Sequence, residues 1–171
     1  MKVLVAAASR QGSTAEIAQA IGDVLRSRGL EVTVHRAESV GPLAGIDAVV
    51  LGSAVYSGHW LPPAIALAHR IADELPGRPV WLFSSGPVGN PSRKLVQRMG
   101  ADPVDLPEVL AATRARGHKM LAGKLDRKDL RGFQRAALSV VRGLEGDFRD
   151  WQGIRGWAGS IAEQLLAATA A

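Results

Sequence analysis

The sequence predicts an α/β domain: a doubly wound, five-stranded parallel sheet in the order 2-1-3-4-5 with helices on both faces. Three observations predict it. Strand-like apolar runs alternate with amphipathic helical periods along most of the chain, as in βα units stacked into a parallel sheet. The runs at 2–7, 47–51 and 79–83 are too continuously apolar for a sheet with one wet face, so both faces must be covered. At 171 residues, the chain has the length of one such domain, expected to span 1–171, and buries a core without disulfides or structural metals.

The elements follow in order. Residues 2–7 form a first buried strand, and 13–28 form a helix with Ile17, Ala20, Ile21, Val24 and Leu25 on one face, ended by Gly29. Residues 31–36 alternate Val32 and Val34 with polar neighbours, as an edge strand does, and 47–51 is a third, interior strand. Pro62 and Pro63 suit the first turn of a second helix that Pro76 and Gly77 stop. A fourth strand at 79–83 leads into a loop at 84–91, a short helix at 92–99, a Pro-rich connection and a helical turn at 106–113. Residues 118–125 read as a fifth strand, 130–144 as a helix, and 151–168 as a final amphipathic helix. In a sheet of this order the ligand lies at the carboxyl ends of the strands, beside the first and third.

Composition narrows the chemistry. Cysteine is absent, which excludes a disulfide framework, a zinc-thiolate site, an iron-sulfur cluster and thiol catalysis, and fits a reducing, cytoplasmic setting. Redox work would need a borrowed cofactor. No apolar stretch approaches the roughly 20 residues of a membrane-spanning helix. The formal net charge of +5 is local: residues 1–113 carry ten Lys/Arg and ten Asp/Glu, whereas 114–155 carry eleven and five. Within 130–144, Leu130, Phe133, Ala137, Val140, Val141 and Leu144 share one helical face, and Arg131, Arg135 and Arg142 the other. This basic segment, about 114–149, suits an acidic protein or peripheral contact with the inner face of an anionic membrane; nucleic acid ranks below both. An arginine face turned simply to water is the plainer reading.

The loop after the first strand is Ser9-Arg10-Gln11-Gly12-Ser13-Thr14. Three hydroxyls, a glycine and backbone N–H groups at the positive end of a helix make a nest for a phosphate dianion. An ordinary Ser/Thr helix cap is the alternative. Neither a G-x-G-x-x-G nor a Gly-Lys-Ser/Thr motif occurs here, so dinucleotide and P-loop sites drop out. A phosphorylatable receiver domain needs acidic strand ends, and this chain has Ala7, Ala8 and Ser9, then Gly52 and Ser53. No metal site is expected.

Ser9-x-x-Gly12-Ser13-Thr14 resembles the phosphate loop of flavodoxins, usually Thr/Ser-x-Thr-Gly-x-Thr. The likeness extends to two further loops, Gly52-Ser53-Ala54-Val55-Tyr56-Ser57-Gly58-His59-Trp60 and Ser84-Ser85-Gly86-Pro87-Val88-Gly89-Asn90. The resemblance implies flavin mononucleotide (FMN) as cofactor, its phosphate on 9–14 and its ring between Ser53–Trp60 and Ser84–Gly89. Tyr56 and Trp60 either offer the ring a flat face or pack beneath the second helix. The third loop has no aromatic residue, which leaves one ring face open to a substrate.

The C-terminal third, with Gly117-His118-Lys119-Met120-Leu121-Ala122-Gly123-Lys124-Leu125-Asp126, a basic stretch and Asp150-Trp151-x-x-Ile154-x-x-Trp157-Ala158, resembles the flavodoxin-domain group that includes the menaquinone-dependent protoporphyrinogen oxidases. That likeness implies an oxidoreductase passing electrons from a reduced substrate, protoporphyrinogen IX among the candidates, to a quinone. A small electron-transfer flavodoxin and a flavodoxin-fold module without flavin are the alternatives. The three loops contain no Asp or Glu and include Arg10 and His59, a field expected to favour reduced flavin. His59 and His118 are considered for proton handling, although neither has a partner visible in sequence; His118 is also read as capping the fifth strand.

Overall fold

The computed structural model describes residues 1–86, 102–125 and 146–169. The expected helices at 92–99 and 130–144, and loop residues Pro87, Val88 and Gly89, lie outside them.

β1 (Lys2–Ala8) is buried from its second residue onward. Its alternation feeds two cores: Leu4, Ala6 and Ala8 point to one face of the sheet, and Val3, Val5 and Ala7 to the other, the period of two that a strand imposes. β1 pairs in parallel with β2 (Glu31–Arg36) and β3 (Ala48–Tyr56). β3 pairs with β5 (Val80–Ser85), and β5 with β6 (Gly117–Leu121). The order β2-β1-β3-β5-β6 is the expected 2-1-3-4-5, with one short antiparallel strand, β4 (His59–Trp60), added on β3.

Helices cover both faces. α1 (Ser13–Ser27) and α4 (Trp151–Thr169) bury Ile17, Ile21, Leu25, Ile154, Ile161 and Leu165 against Val3, Val5, Val50, Trp81 and Phe83. α2 (Pro62–Glu74) and α3 (Leu106–Thr113) bury Leu67, Ile71, Leu106 and Val109 against Leu4, Leu51 and Leu82. A fully buried aliphatic or aromatic side chain contributes about 1.5–3 kcal/mol, so these two layers carry the fold. Gly52 belongs to this packing: a Cβ there would overlap the Phe83 ring from the adjacent strand. α4 is capped by Asp150, whose carboxylate accepts the Gly153 N–H at 2.9 Å.

Two boundaries differ from expectation. The third strand does not stop at Leu51 but runs on to Tyr56, then turns through Ser57 (φ 52) and Gly58 (φ 80) into β4. Positive φ at both central residues is the two-residue hairpin turn that matches strand twist. The fifth strand ends at Leu121 instead of 125. Beyond it, β7 (Lys124–Leu125) leaves the sheet and pairs antiparallel with β8 (Gly146–Asp147), because Gly123 gives its carbonyl to the Phe148 N–H.

Candidate functional site

Strand register brings the loops together. Ala8 lies opposite Ser53, Ser53 opposite Ser84, and Ala54 opposite Ser85. The loops after β1, β3 and β5 therefore leave the sheet side by side at its carboxyl edge, where this topology places its ligand.

The first loop turns at Gly12, which sits at φ 85 and caps α1 with no side-chain hydrogen bond. Only a residue without Cβ adopts that angle at no cost. Gly12 offers the first N–H groups of α1 no capping side chain, and those groups form the positive end of the helix dipole. Two hydroxyls flank them. Ser9 Oγ accepts the Gly12 N–H at 3.1 Å, and Ser13 Oγ accepts the Lys124 N–H at 3.3 Å; each keeps its own proton to donate. Thr14 is buried at the base of the loop, Ser9, Gln11 and Gly12 are half-buried, and Arg10 is exposed. A donor-rich loop with no carboxylate of its own fits a phosphate dianion.

Arg10 reaches out of this loop, its guanidinium 4.6 Å from the centre of the Tyr56 ring, a cation–π contact joining the first loop to the second. Tyr56 and Val55 are half-exposed, and Ser57, Gly58 and His59 are exposed. Trp60 is different. Its indole is 2% exposed within the α2 core and donates to Ser84 Oγ at 2.8 Å, so of the two aromatics considered for a ligand face, Tyr56 alone lies open at this edge.

Several residues of the expected site are committed inward. Ser53 Oγ donates to the Ala54 carbonyl and accepts the Leu61 N–H, both at 2.9 Å, which fixes the hairpin onto α2. Ser84 Oγ accepts from Trp60 and lies 2.8 Å from His118 Nε2. An indole N–H only donates, so Ser84 Oγ is its acceptor, and the same hydroxyl links Trp60 to His118. Burial holds His118 below the ordinary imidazole pKa, against an opposing pull from Asp102 3.9 Å away. Ser85 is 6% exposed, and the Gly86 N–H is bonded to the Leu121 carbonyl at 3.0 Å.

The structure adds partners that sequence reasoning missed. Asp105, at the start of α3, accepts the Trp60 N–H at 2.8 Å and lies 3.1 Å from His59 Nδ1. Burial would raise its pKa, but the bonds from His59 and Trp60 win and hold it below the usual carboxylate value. The loops, carboxylate-free in sequence, thereby acquire one from 46 positions away. Arg149 is the second omission: it packs against Ser13 and Glu16 at the base of the first loop. Hydrogen bonds to Asp147 raise its pKa further, outweighing desolvation. Neither partner has a periodicity or motif to announce it.

A family model described as flavodoxin domain matches residues 4–152. The chain belongs to this flavodoxin-domain family. Comparison with curated proteins gives no significant match. Among solved structures, the flavodoxin-domain chain is similar to a flavodoxin from the domain Archaea, at 20% identity and TM-score 0.62 over 96% of this chain and 98% of that one. It is similar to oxidised flavodoxin 2 from Bacillus cereus, at 23% identity and TM-score 0.60 over 96% and 99%. Rubredoxin oxygen:oxidoreductase from Desulfovibrio gigas matches at 17% identity and TM-score 0.69, with 99% of this chain aligned to 37% of that one. At such identities the likeness shows the fold. The family implies FMN as cofactor, and the donor set of the first loop fits its phosphate. Among the described residues no helix is long and apolar enough to cross a membrane, and no group of His, Asp and Glu could hold a metal ion.

Proposed function

We propose that this flavodoxin-domain protein is an FMN-dependent oxidoreductase that takes electrons from a reduced small molecule and passes them to a quinone, with protoporphyrinogen IX as the first substrate to test. The observation that carries the reading is the pairing of Arg10 with Tyr56. It sets a permanent cation between the phosphate loop and the half-exposed aromatic of the second loop, in a site whose loops carry no acidic residue of their own and whose one recruited carboxylate, Asp105, is bonded to His59 and Trp60. Positive charge there favours reduced over oxidised flavin. The resemblance of the C-terminal third to the quinone-linked oxidases gives the substrate class.

Each residue then has a part. Ser9, Arg10, Gln11, Gly12, Ser13 and Thr14 hold the phosphate through N–H and O–H donors. Val55, Tyr56, Ser57, Gly58 and His59 would form one wall for the ring, and Trp60 and Ser53 hold that wall in place from behind through Ser84 and Leu61. The flavin supplies two-electron chemistry when bound. His59 handles a proton: Asp105 only accepts, so Nδ1 carries a hydrogen towards it, and Nε2 is the basic atom left for a proton released by the substrate. Each pair of electrons and protons lost by the substrate converts one quinone to one quinol.

Purification followed by visible spectroscopy and an acceptor screen tests this. The expected result is a yellow protein that oxidises protoporphyrinogen IX with menaquinone as acceptor. A colourless protein that takes up no added FMN overturns the cofactor reading. A yellow protein that exchanges electrons with a redox partner protein but turns over no small substrate makes it a carrier instead.

A further inference from the structure

The Arg149 side chain is almost removed from water, 3% exposed, and each of its three guanidinium nitrogens has a partner. Its Nε and Nη2 fork onto Asp147 at 2.8 and 2.6 Å. Its Nη1 lies 2.6 Å from Glu16 Oε2 and 3.4 Å from the Ser13 carbonyl. The guanidinium stacks 4.4 Å from the centre of the Trp151 ring. Beside it, the Lys124 N–H donates to Ser13 Oγ. Residues from β7 and the end of β8 therefore hold Ser13 by both its polar oxygens, carbonyl and hydroxyl.

The electrostatics matter as much as the contacts. Glu16 stands in the first turn of α1, where a carboxylate complements the helix dipole. For a doubly negative ligand over the same turn, that carboxylate is repulsive. Arg149 pairs with it at 2.6 Å and offsets that charge, although Glu16 itself is half-exposed and water screens the pair in part. Asp147 in turn orients the fork, as a bidentate partner does for a planar guanidinium.

We propose that Arg149 is the positioning residue of the phosphate site, which makes the protein selective for phosphorylated over unphosphorylated flavin by fixing Ser13 and neutralising Glu16. The inference rests on the FMN reading above. Arg149 itself is not assigned to the ligand: it acts through Ser13 and Glu16.

Titrating the full chain with FMN and with riboflavin separates the two claims, because riboflavin keeps the ring and lacks the phosphate. Arg149→Met retains the stem and deletes the charge. Its FMN affinity is expected to fall about tenfold or more, equivalent to about 1.4 kcal/mol, with riboflavin affinity within about twofold of the parent. Adding Glu16→Gln to that variant should restore part of the loss, since the repulsive carboxylate is then gone. Arg149→Lys, which keeps the charge and gives up the fork, should show a smaller loss confined to FMN; it carries the test if the Met variant does not fold. Equal losses for both flavins, or no loss for either, overturn the assignment while leaving FMN binding intact. A parent protein that binds neither flavin overturns the FMN reading, and this inference with it.

Discussion

The two ends of the candidate site are held by different chemistry. At the phosphate end, the turn at Gly12 is backed by the ion pairs of Arg149 with Asp147 and Glu16. At the hairpin end, His59, Asp105, Trp60, Ser84 and His118 form hydrogen-bonded links in which two imidazoles take part. The first arrangement fixes a charge; the second can gain or lose a proton. On the function proposed above, binding of the phosphate and tuning of the ring would have separable supports, so each should fail without the other.

The largest effect is expected at the phosphate end. Ser13→Asp sets a carboxylate against the dianion and should weaken FMN on the order of 1000-fold, given about 4 kcal/mol for unit charges 4 Å apart near a protein surface. Riboflavin affinity, measured by the same fluorescence titration, should hardly change. A parallel fall for riboflavin would merge the two ends and break the comparison.

At the hairpin end, Ser84→Ala removes the acceptor of the Trp60 indole and the hydroxyl bonded to His118 Nε2 in a fully buried place. Leaving buried polar groups unpaired costs about 1–3 kcal/mol, read as a lower urea midpoint. The preference for FMN over riboflavin should survive in this variant. If that preference collapses instead, the supports are not independent.

The smallest effect is the pH dependence. His118 titrates below its ordinary value of 6.5 in the folded protein because burial opposes its charge. Between that lowered value and 6.5 the unfolded chain binds more protons, so stability rises with pH through this window and is lost on acidification. Asp147, held low by Arg149 despite partial desolvation, contributes stability above its ordinary 3.8 that disappears only as pH falls through its lower folded value. Thermal melts should therefore soften first below pH 6.5, and His118→Phe should abolish that first step while leaving the more acidic one. A first step that persists in the variant would place it elsewhere.

Much of the sheet was legible because period and burial are local signals. The run Val3–Ala8 could only be an interior strand, and Ile17, Ile21 and Leu25 could only be one face of a helix. The turn from the first strand into the first helix was legible for the same reason, since Ser9 to Thr14 is continuous in sequence. The hairpin was misjudged because Gly52-Ser53-Ala54 looks like a loop until Phe83 is seen to fill the space above Gly52. Ser57-Gly58 between Val55-Tyr56 and His59-Trp60 was the local turn signal that could have revealed it.

What the sequence by itself determined is the order of strands and helices and the nest between the first of each, because backbone geometry and apolar periodicity act between near neighbours. What tertiary structure alone decided is who stands behind that nest and beside the ring wall. Arg149 meets Glu16 across 133 positions, and His59 meets Asp105 across 46. Charged side chains pair by position in space, with no periodicity along the chain to record it, so those partners become visible only once the sheet has brought its carboxyl edge together.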